Sequence, residues 1–186
     1  MKKAKLNPDI ETAAKFLKAL CDGRNGKFLF MPCFIESDGK TKRVETKLGT
    51  FNELSRYLTN RNQQGYEIFF TVNRTDKTGE RKKENVVALR SLFVDSDDGP
   101  IRSFAIQPSA IVKSRRGEHA YWFLKSKQNL SEFENAQKKL INVLNTDSSV
   151  CDLSRCMRLP GFYHNGDKEN PLLVTISSLT EKRYTI

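Results

Sequence analysis

Three segments of the chain repeat apolar residues every three to four positions, which is the period of an amphipathic helix. They read NPDIETAAKFLKAL, FNELSRYLTNRNQQG and SEFENAQKKLINVLN. Asp9 and Glu11 suit the positive end of the first helix, and Gly65 is placed to end the second. Ser131 and Glu134 have the spacing of a capping box at the start of the third. We therefore predict three helices.

Short runs of β-branched and aromatic residues occupy much of the remaining chain and predict strands. They read KFLFMPCFIE, YEIFFTVN, VVALRSLFVD, SAIVKS, HAYWFLK and PLLVTIS. The polar stretch NRTDKTGERKKEN predicts one long hairpin or loop. Strands mixed with only three long helices, with no internal repeat or clear linker, predict an α+β fold. We expect a single domain over residues 1–186, with an N-terminal helix within residues 1–22.

Composition narrows the class of partner. The 186 residues suffice for one substantial core, and 38% of them are hydrophobic. Lys and Arg number 32 against 22 Asp and Glu, so the net charge is +10. This surplus favours a polyanionic partner, nucleic acid first and an anionic membrane second. A lysine-rich surface that only keeps the protein in solution is the alternative.

The chain has no run of ~18 apolar residues that would span a membrane. Its basic start continues as a polar amphipathic helix, where a signal peptide would have an apolar segment. We therefore expect a cytoplasmic protein without a membrane partner.

Four cysteines, Cys21, Cys33, Cys151 and Cys156, form no CxxC pair and no pattern of secreted disulfides. Cys151, Cys156 and His164 could be part of a zinc site, but their spacing matches no common structural zinc signature. We expect buried, reduced thiols.

The stretch LFVDSDDG places three carboxylates directly behind an apolar run. In a strand, Asp95 and Asp97 project to one face and Asp98 to the other. Two carboxylates on one face repel each other unless a cation lies between them, and oxygen ligands suit Mg²⁺ or Mn²⁺. A calcium loop is excluded, because its sixth and twelfth positions hold Pro100 and Ile106. A plain turn remains an alternative.

Cationic residues follow this acidic cluster in two groups. The first, KSRRGEHAYWFL, carries Lys113, Arg115, Arg116 and His119, and the second, DSSVCDLSRCMRLPGF, carries Asp147, Asp152, Arg155 and Arg158. A cationic strip next to paired carboxylates is what a metal-bound triphosphate requires. The two arginines of the second group are three positions apart and would share a face if that segment were helical. The guanidinium group of arginine also binds phosphate through two N–H donors at once.

These stretches resemble the archaeo-eukaryotic primase superfamily, the primase-polymerases, and in particular its RepB-like group of plasmid, phage and CRISPR-associated members. FVDSD is similar to the first acidic motif, GEH to the SxH motif, and DSSVCDLSRCMRLPG to the third motif with its arginines. FFTVN, ending at Asn73, and RLPGFYH also look RepB-like. The resemblance covers roughly residues 27–178, which would be the catalytic core. It departs from the family at Gly117, where SxH has its serine.

The resemblance implies two modules, an N-terminal α/β part and an RRM-like part, with the active site in the cleft between them. It implies DNA-directed primase or polymerase activity, that is, template-directed nucleotidyl transfer with two divalent ions, Mg²⁺ or Mn²⁺. The implied partners are a single-stranded DNA template, a primer strand and nucleoside triphosphates, and a fused or associated helicase or nuclease component is also conceivable. The implied ligands and catalytic residues are Asp95, Asp97 and Asp147. The implied nucleotide-binding residues are Arg115, His119, Arg158 and Lys113, and the template-binding residues are Arg155, Arg116 and Asn73.

The third acid could in principle be Asp147 or Asp152. Asp152 begins the stretch DLSRCMR, where it could cap a helix and pair with Arg155. Asp147 lies just past a predicted helix end, whose dipole does not favour a carboxylate. Local structure would thus explain Asp152 alone, and the family spacing also indicates Asp147.

Two other classes of function remain as alternatives. A non-catalytic RRM-like module of a replication initiator could stack bases on exposed Phe69, Tyr121 or Phe123, but such a module needs no carboxylate pair. A sugar-nucleotide transferase also uses DxD, but the net charge and the arginines after Asp147 disfavour it.

Overall fold

The computed structural model describes residues 6–36, 39–97 and 99–186. Asp98 and the first five residues lie outside this range. The helices are α1 (Ile10–Leu20), α2 (Phe51–Gln63) and α3 (Phe133–Leu144), with short 3-10 helices at Lys83–Asn85 and Leu130–Glu132. The strands are β1 (Lys27–Ile35), β2 (Thr41–Val44), β3 (Lys47–Thr50), β4 (Glu67–Thr71), β5 (Arg74–Thr75), β6 (Val86–Ala88), β7 (Ser91–Ser96), β8 (Ala110–Lys113), β9 (Glu118–Phe123), β10 (Cys156–Arg158), β11 (Tyr163–His164), β12 (Leu172–Leu173) and β13 (Thr175–Leu179).

Two antiparallel sheets dominate the structure. The first has the strand order β10-β4-β1-β2, with β3 also paired to β1. The second has the order β13-β8-β9-β7. Two small ribbons, β5–β6 and β11–β12, complete the pairing. The mixture of sheets and three helices confirms the predicted α+β fold.

Helix α1 joins the cores of both sheets. The Asp9 side chain caps it by accepting from the Thr12 amide at 2.9 Å. On its buried face, Phe16 makes edge contacts with Phe70 of the first sheet and Tyr121 of the second, with ring centroids 5.6 and 5.2 Å apart. Aromatic pairs of this kind add to the stabilisation from burial. The two sheets therefore share one hydrophobic core.

The burial of two aromatic rings corrects the expectation for a base-stacking module. Tyr121 and Phe123 are both 0% exposed, because their side of β9 faces the core that Phe16 also fills. Neither ring is available to stack on a base. Only Phe69 of the three proposed stacking residues keeps partial exposure, and the Arg158 guanidinium lies 5.1 Å from its ring centre.

Two local predictions are wrong, one about a helix cap and one about a strand. The expected Ser131–Glu134 capping box is wrong, because Asn129 accepts from the Ser131 amide at 3.1 Å and Glu134 pairs with Lys83. A capping box is instead found at the start of α2, where Thr50 and Glu53 bond to each other's backbone amides. The run VVALRSLFVD also divides into β6 and β7, which belong to different pairings.

Helix α3 and the chain after it cover the free edge of β7. The Phe93 amide donates to Gln137 Oε1 at 3.2 Å, and Gln137 Nε2 donates to the carbonyls of Phe93 and Val150. Two residues further along the same edge, the Asp147 amide donates to the Asp95 carbonyl at 3.0 Å. The backbone groups at this edge of β7 are therefore satisfied by Gln137 and by the Asp147 amide and not by another strand. The second of these bonds brings Asp147 next to Asp95.

Among the described residues, no helix has the length and apolar content to cross a membrane.

Candidate functional site

The site is built around a cross-strand pair in the second sheet. Antiparallel pairing of β7 with β9 places Asp95 opposite His119, and such pairs share a face. His119 Nε2 lies 3.5 Å from Asp95 Oδ1, and the imidazole is only 2% exposed. The Asp95 side chain is 22% exposed, so its carboxylate remains partly accessible to solvent.

The carboxylates of the predicted acidic set act on one another. The pKa of Asp95 is raised to about 6; burial is the largest cause and the negative charges of Asp97 and Asp147 add to it, while Arg158 and Arg116 oppose the shift. These neighbours lie in three separate segments of the chain. The structure therefore brings together the acidic motif and the cations that the sequence placed far downstream.

Asp97 and Asp147 already have partners of their own. Arg116 Nη2 lies 3.5 Å from Asp97 Oδ1 in an exposed ion pair. Asp147 accepts from both the amide and the hydroxyl of Ser149 at 2.8 Å, which forms a local turn. The expectation that local structure explains Asp152 alone is therefore wrong, since Asp147 also has a local partner.

The segment after Asp152 is a short turn and not a helix. Asp152 pairs with Arg155 at 2.7 Å as predicted, but no helix follows it, so its predicted role as a cap is wrong. The shared face predicted for the two arginines is also wrong. Arg155 turns back to Asp152 and the Ser149 carbonyl, whereas Arg158 lies in β10 and reaches across to β4.

The partner of Arg158 is a buried glutamate that the sequence analysis missed. Glu67 is 1% exposed, and its Oε2 accepts from Arg158 Nε at 2.7 Å. His164 Nε2 faces the other oxygen, Oε1, at 3.3 Å. The signal in the sequence was a lone acid at the start of the apolar run YEIFF, because a charge in a buried strand needs a partner.

The β8–β9 hairpin carries two arginines at its tip. The turn is closed by the Ser114 amide, which donates to the Gly117 carbonyl at 2.9 Å, so Arg115 and Arg116 form the loop. Arg115 Nε donates to His164 Nδ1 at 3.2 Å, while Arg116 approaches the acidic cluster. The tip therefore has one cation on each side of the space between the sheets.

Close backbone packing explains why Gly117 replaces the serine of the SxH motif. A Cβ added to Gly117 would lie 1.5 Å from the Ser96 carbonyl oxygen. This carbonyl belongs to the facing strand and cannot rotate away without disturbing the sheet. A residue with a side chain does not fit this position with the present backbone.

Both histidines of the site are neutral at pH 7. Burial, followed by the charges of Arg158 and His164, lowers the pKa of His119 to about 3. Burial and the nearby arginines lower the pKa of His164 to about 4. Because Arg115 Nε donates to Nδ1 of His164, the ring carries its proton on Nε2, towards Glu67. The arginines that act on the carboxylates are Arg116 and Arg158, whereas Arg115 is held by His164 and Asp167.

Two predicted binding residues do not join this group. Lys113 pairs with Glu118, so its side chain projects from the opposite face of the sheet to that of His119. Asn73 is fully buried, with its amide donating to the Leu153 carbonyl at 3.1 Å and its oxygen accepting from the Arg90 amide at 2.9 Å. Asn73 holds β7 in place and presents no free polar group.

The donor set suits a hard divalent cation. Carboxylate oxygens are the ligands that Mg²⁺ and Mn²⁺ prefer. Burial and then the neighbouring carboxylates raise the pKa of Asp95, and a bound cation would offset both effects. Within residues 6–36, 39–97 and 99–186, no three acidic, histidine or cysteine side chains yet converge closely enough to hold an ion. Asp97 and Asp147 would first have to leave Arg116 and Ser149.

The cysteines do not build a zinc site in the described part of the chain. All four are free, and Cys21 and Cys33 are buried as predicted, while Cys151 and Cys156 are half-buried. Cys156 Sγ contacts Met31 Sδ at 3.1 Å, and His164 is engaged by Arg115 and Glu67.

Comparison with known proteins found likeness at the level of structure. No protein-family profile and no curated protein sequence matches the chain. Among solved structures, the AEP domain of the cyanophage S-2L primase-polymerase matches with a TM-score of 0.76 and 18% identity, over 96% of this chain and 94% of that one. The catalytic domain of primase RepB′, solved in complex with initiator DNA, matches with a TM-score of 0.66 and 17% identity, over 96% and 89%.

The chain has the fold of a primase-polymerase catalytic domain. A structure of primase RepB′ matches with a TM-score of 0.69 over 95% of this chain and 58% of that one. The likeness extends over nearly the whole chain, so it is the overall fold that these structures share with this protein.

Proposed function

We propose that this protein is a DNA primase or polymerase that transfers nucleotides on a single-stranded DNA template. The observation that carries the proposal is that the charges of Asp97, Asp147, Arg158 and Arg116 all act on the mostly buried carboxylate of Asp95. The primase-polymerase fold supports the same conclusion. A module that only binds nucleic acid gains nothing from carboxylates that repel phosphate.

The reaction joins the 3′-hydroxyl oxygen of a primer or first nucleotide to the α-phosphorus of an incoming triphosphate. The bond between the α-phosphorus and the bridging oxygen breaks, pyrophosphate leaves with that oxygen, and the hydroxyl proton passes to solvent. Arg116 and Arg158 would hold the phosphates, since both act on the charge of the carboxylates. Arg115 remains a predicted phosphate contact, but it would first have to leave His164 and Asp167. Charge-assisted contacts of this kind orient the triphosphate for in-line attack.

Asp95, Asp97 and Asp147 are the residues that would hold two divalent ions, Mg²⁺ or Mn²⁺. Such ions neutralise the phosphate oxygens and lower the pKa of the attacking hydroxyl. His119 lies beneath Asp95 as a neutral hydrogen-bonding group, and its predicted contact with the triphosphate would be a hydrogen bond. Arg155 remains the predicted template contact, close to the third carboxylate. We assign no nucleotide or template contact to Lys113 and Asn73, because neither side chain faces the site.

The test is a primer-extension assay with the double variant Asp95→Asn/Asp97→Asn. Single-stranded template and labelled nucleotides are supplied with Mg²⁺ or Mn²⁺, with and without a primer. The matched control is Glu11→Gln/Glu132→Gln, which makes the same chemical change at two exposed positions. We expect the site variant to lose incorporation and the control to keep it.

A thermal-unfolding titration with Mn²⁺ gives an independent readout. Wild type and control should gain stability with Mn²⁺, and the site variant should not. Full extension by the site variant would refute the role of the carboxylates. Wild type that binds single-stranded DNA but never incorporates nucleotides would favour the non-catalytic alternative.

A further inference from the structure

A second cavity lies at the end of the molecule away from the carboxylates. It has a volume of about 980 Å³ and is lined by the C-terminal end of α1, the ribbon β5–β6 and the chain on either side of β7 and β9. Arg90, which precedes β7, lines it, whereas Asp95 lies five residues further along, a rise of about 16 Å. No residue of the proposed active site contributes to its lining.

The lining of this cavity is strongly cationic. Among the described residues, it includes seven cations, namely Arg24, Lys27, Arg74, Lys77, Arg90, Lys127 and Arg183, but only two acids, Asp22 and Asp76. Both acids are already engaged: Asp22 pairs with Arg183 at 2.8 Å, and Asp76 accepts from Asn85 at 2.9 Å. In the described part of the chain, Arg74, Lys77 and Lys127 form no ion pair.

Two buried polar groups of the lining also lack partners. Arg90 is 8% exposed, donates to the Lys27 carbonyl at 2.7 Å and lies 4.1 Å from the centre of the Phe28 ring. Its Nη1 has no hydrogen-bond acceptor within the described residues, and the same holds for the buried hydroxyl of Thr75. Buried donors without acceptors are uncommon and costly. Both atoms are enclosed by protein, so it is the exposed cations of the lining, and not these two groups, that the cavity offers to an anionic ligand.

Apolar side chains also line the cavity. Leu48, Leu89 and Leu124 line it beside the cationic groups. A ligand with one apolar, flat part and one negatively charged part is therefore complementary to it. A nucleotide has both parts, since the base can lie on the leucines while the phosphate meets the arginines.

We propose that this cavity is a second nucleic-acid contact, which binds one nucleotide unit of a single strand through its phosphate. The net charge of +10 and the separation from the carboxylates favour a strand that passes from one end of the molecule to the other. A free nucleotide would present the same phosphate and base, so the experiment includes both sources.

The test is direct binding by the double variant Arg74→Gln/Lys77→Gln, measured by fluorescence anisotropy. Both side chains are exposed, so their replacement leaves the core intact. The probes are labelled single-stranded DNA and a labelled deoxynucleoside monophosphate, each without divalent ions. Lys138→Gln/Lys139→Gln removes the same charge from exposed positions on α3 and is the matched control.

We expect the cavity variant to bind the strand roughly tenfold more weakly at about 0.1 M salt, with the slope of log affinity against log salt reduced by about 1.4. The control should change both values far less, and any binding of the monophosphate should weaken in the same cavity variant. If the cavity variant loses affinity only for the monophosphate, the ligand of the cavity is a free nucleotide and not a DNA strand. Equal losses in cavity variant and control would overturn the site. Because no incorporation is measured, this outcome is independent of the proposed catalysis.

Discussion

Replacing Asp95 by asparagine should stabilise the metal-free protein near neutral pH. The carboxyl group has a pKa of about 6 in the folded chain, against an ordinary value of 3.8, and burial is the largest cause. Above pH 6 the group is ionised in both states, and the folded state carries an unfavourable buried charge. Asparagine keeps the size of the side chain and removes that charge.

The size of the effect follows from the pKa difference. Each unit corresponds to about 1.4 kcal/mol, so the full shift amounts to about 3 kcal/mol. Because the side chain is 22% exposed, solvent screening reduces this value, and about 1–3 kcal/mol is the expected gain. The size of the gain depends on pH, because the folded state of the wild type binds the proton more tightly between pH 4 and pH 6. The wild-type free energy of unfolding should therefore fall as the pH rises through this range.

Urea unfolding in the presence of EDTA measures this directly. Trp122 is the single tryptophan and is 4% exposed, so its fluorescence reports global unfolding. The variant should exceed wild type by about 1–3 kcal/mol at pH 7.5 and match it near pH 4. Asp97→Asn should give a smaller gain, because it removes only a neighbouring charge. A variant that is no more stable at pH 7.5, or a difference that does not shrink towards pH 4, would refute the reasoning.

Four further substitutions test the surroundings of the site. Glu67→Gln should raise the nucleotide KM more than it lowers kcat and should cost about 1–3 kcal/mol in urea melts, because its arginine partner loses the group that orients it; an unchanged KM would contradict this positioning role. Gly117→Ser should destabilise the protein by about 1–3 kcal/mol without improving nucleotide affinity, since the facing carbonyl leaves no room for a Cβ; a stable variant with tighter binding would show that the turn adapts. Asp147→Asn should abolish primer extension and Asp152→Asn should retain it, and the reverse pattern would make Asp152 the third acid.

The sequence by itself determined the elements and the order of the chemical groups. Helical and strand periods are local, so α1, α2 and most strands could be predicted from the residues that compose them. The acidic pair at the end of β7 and the downstream arginines could likewise be recognised, because the residues of each motif lie close together in the sequence. Gly117 was noticed as a departure, although its cause lies in the facing strand.

Only the tertiary structure decided which of these groups meet. Asp147 reaches Asp95 through a backbone hydrogen bond, which no side-chain pattern encodes. Glu67 becomes the partner of Arg158 because β4 and β10 pair across 91 residues of chain.

The turn at Arg115 and Arg116 fixes the register that turns His119 towards the carboxylates and Lys113 away from them. A shift of one residue would reverse both side chains, because alternate residues of a strand face opposite sides. Local patterns specify each strand, but the contacts between distant strands depend on register and packing, which are properties of the whole fold.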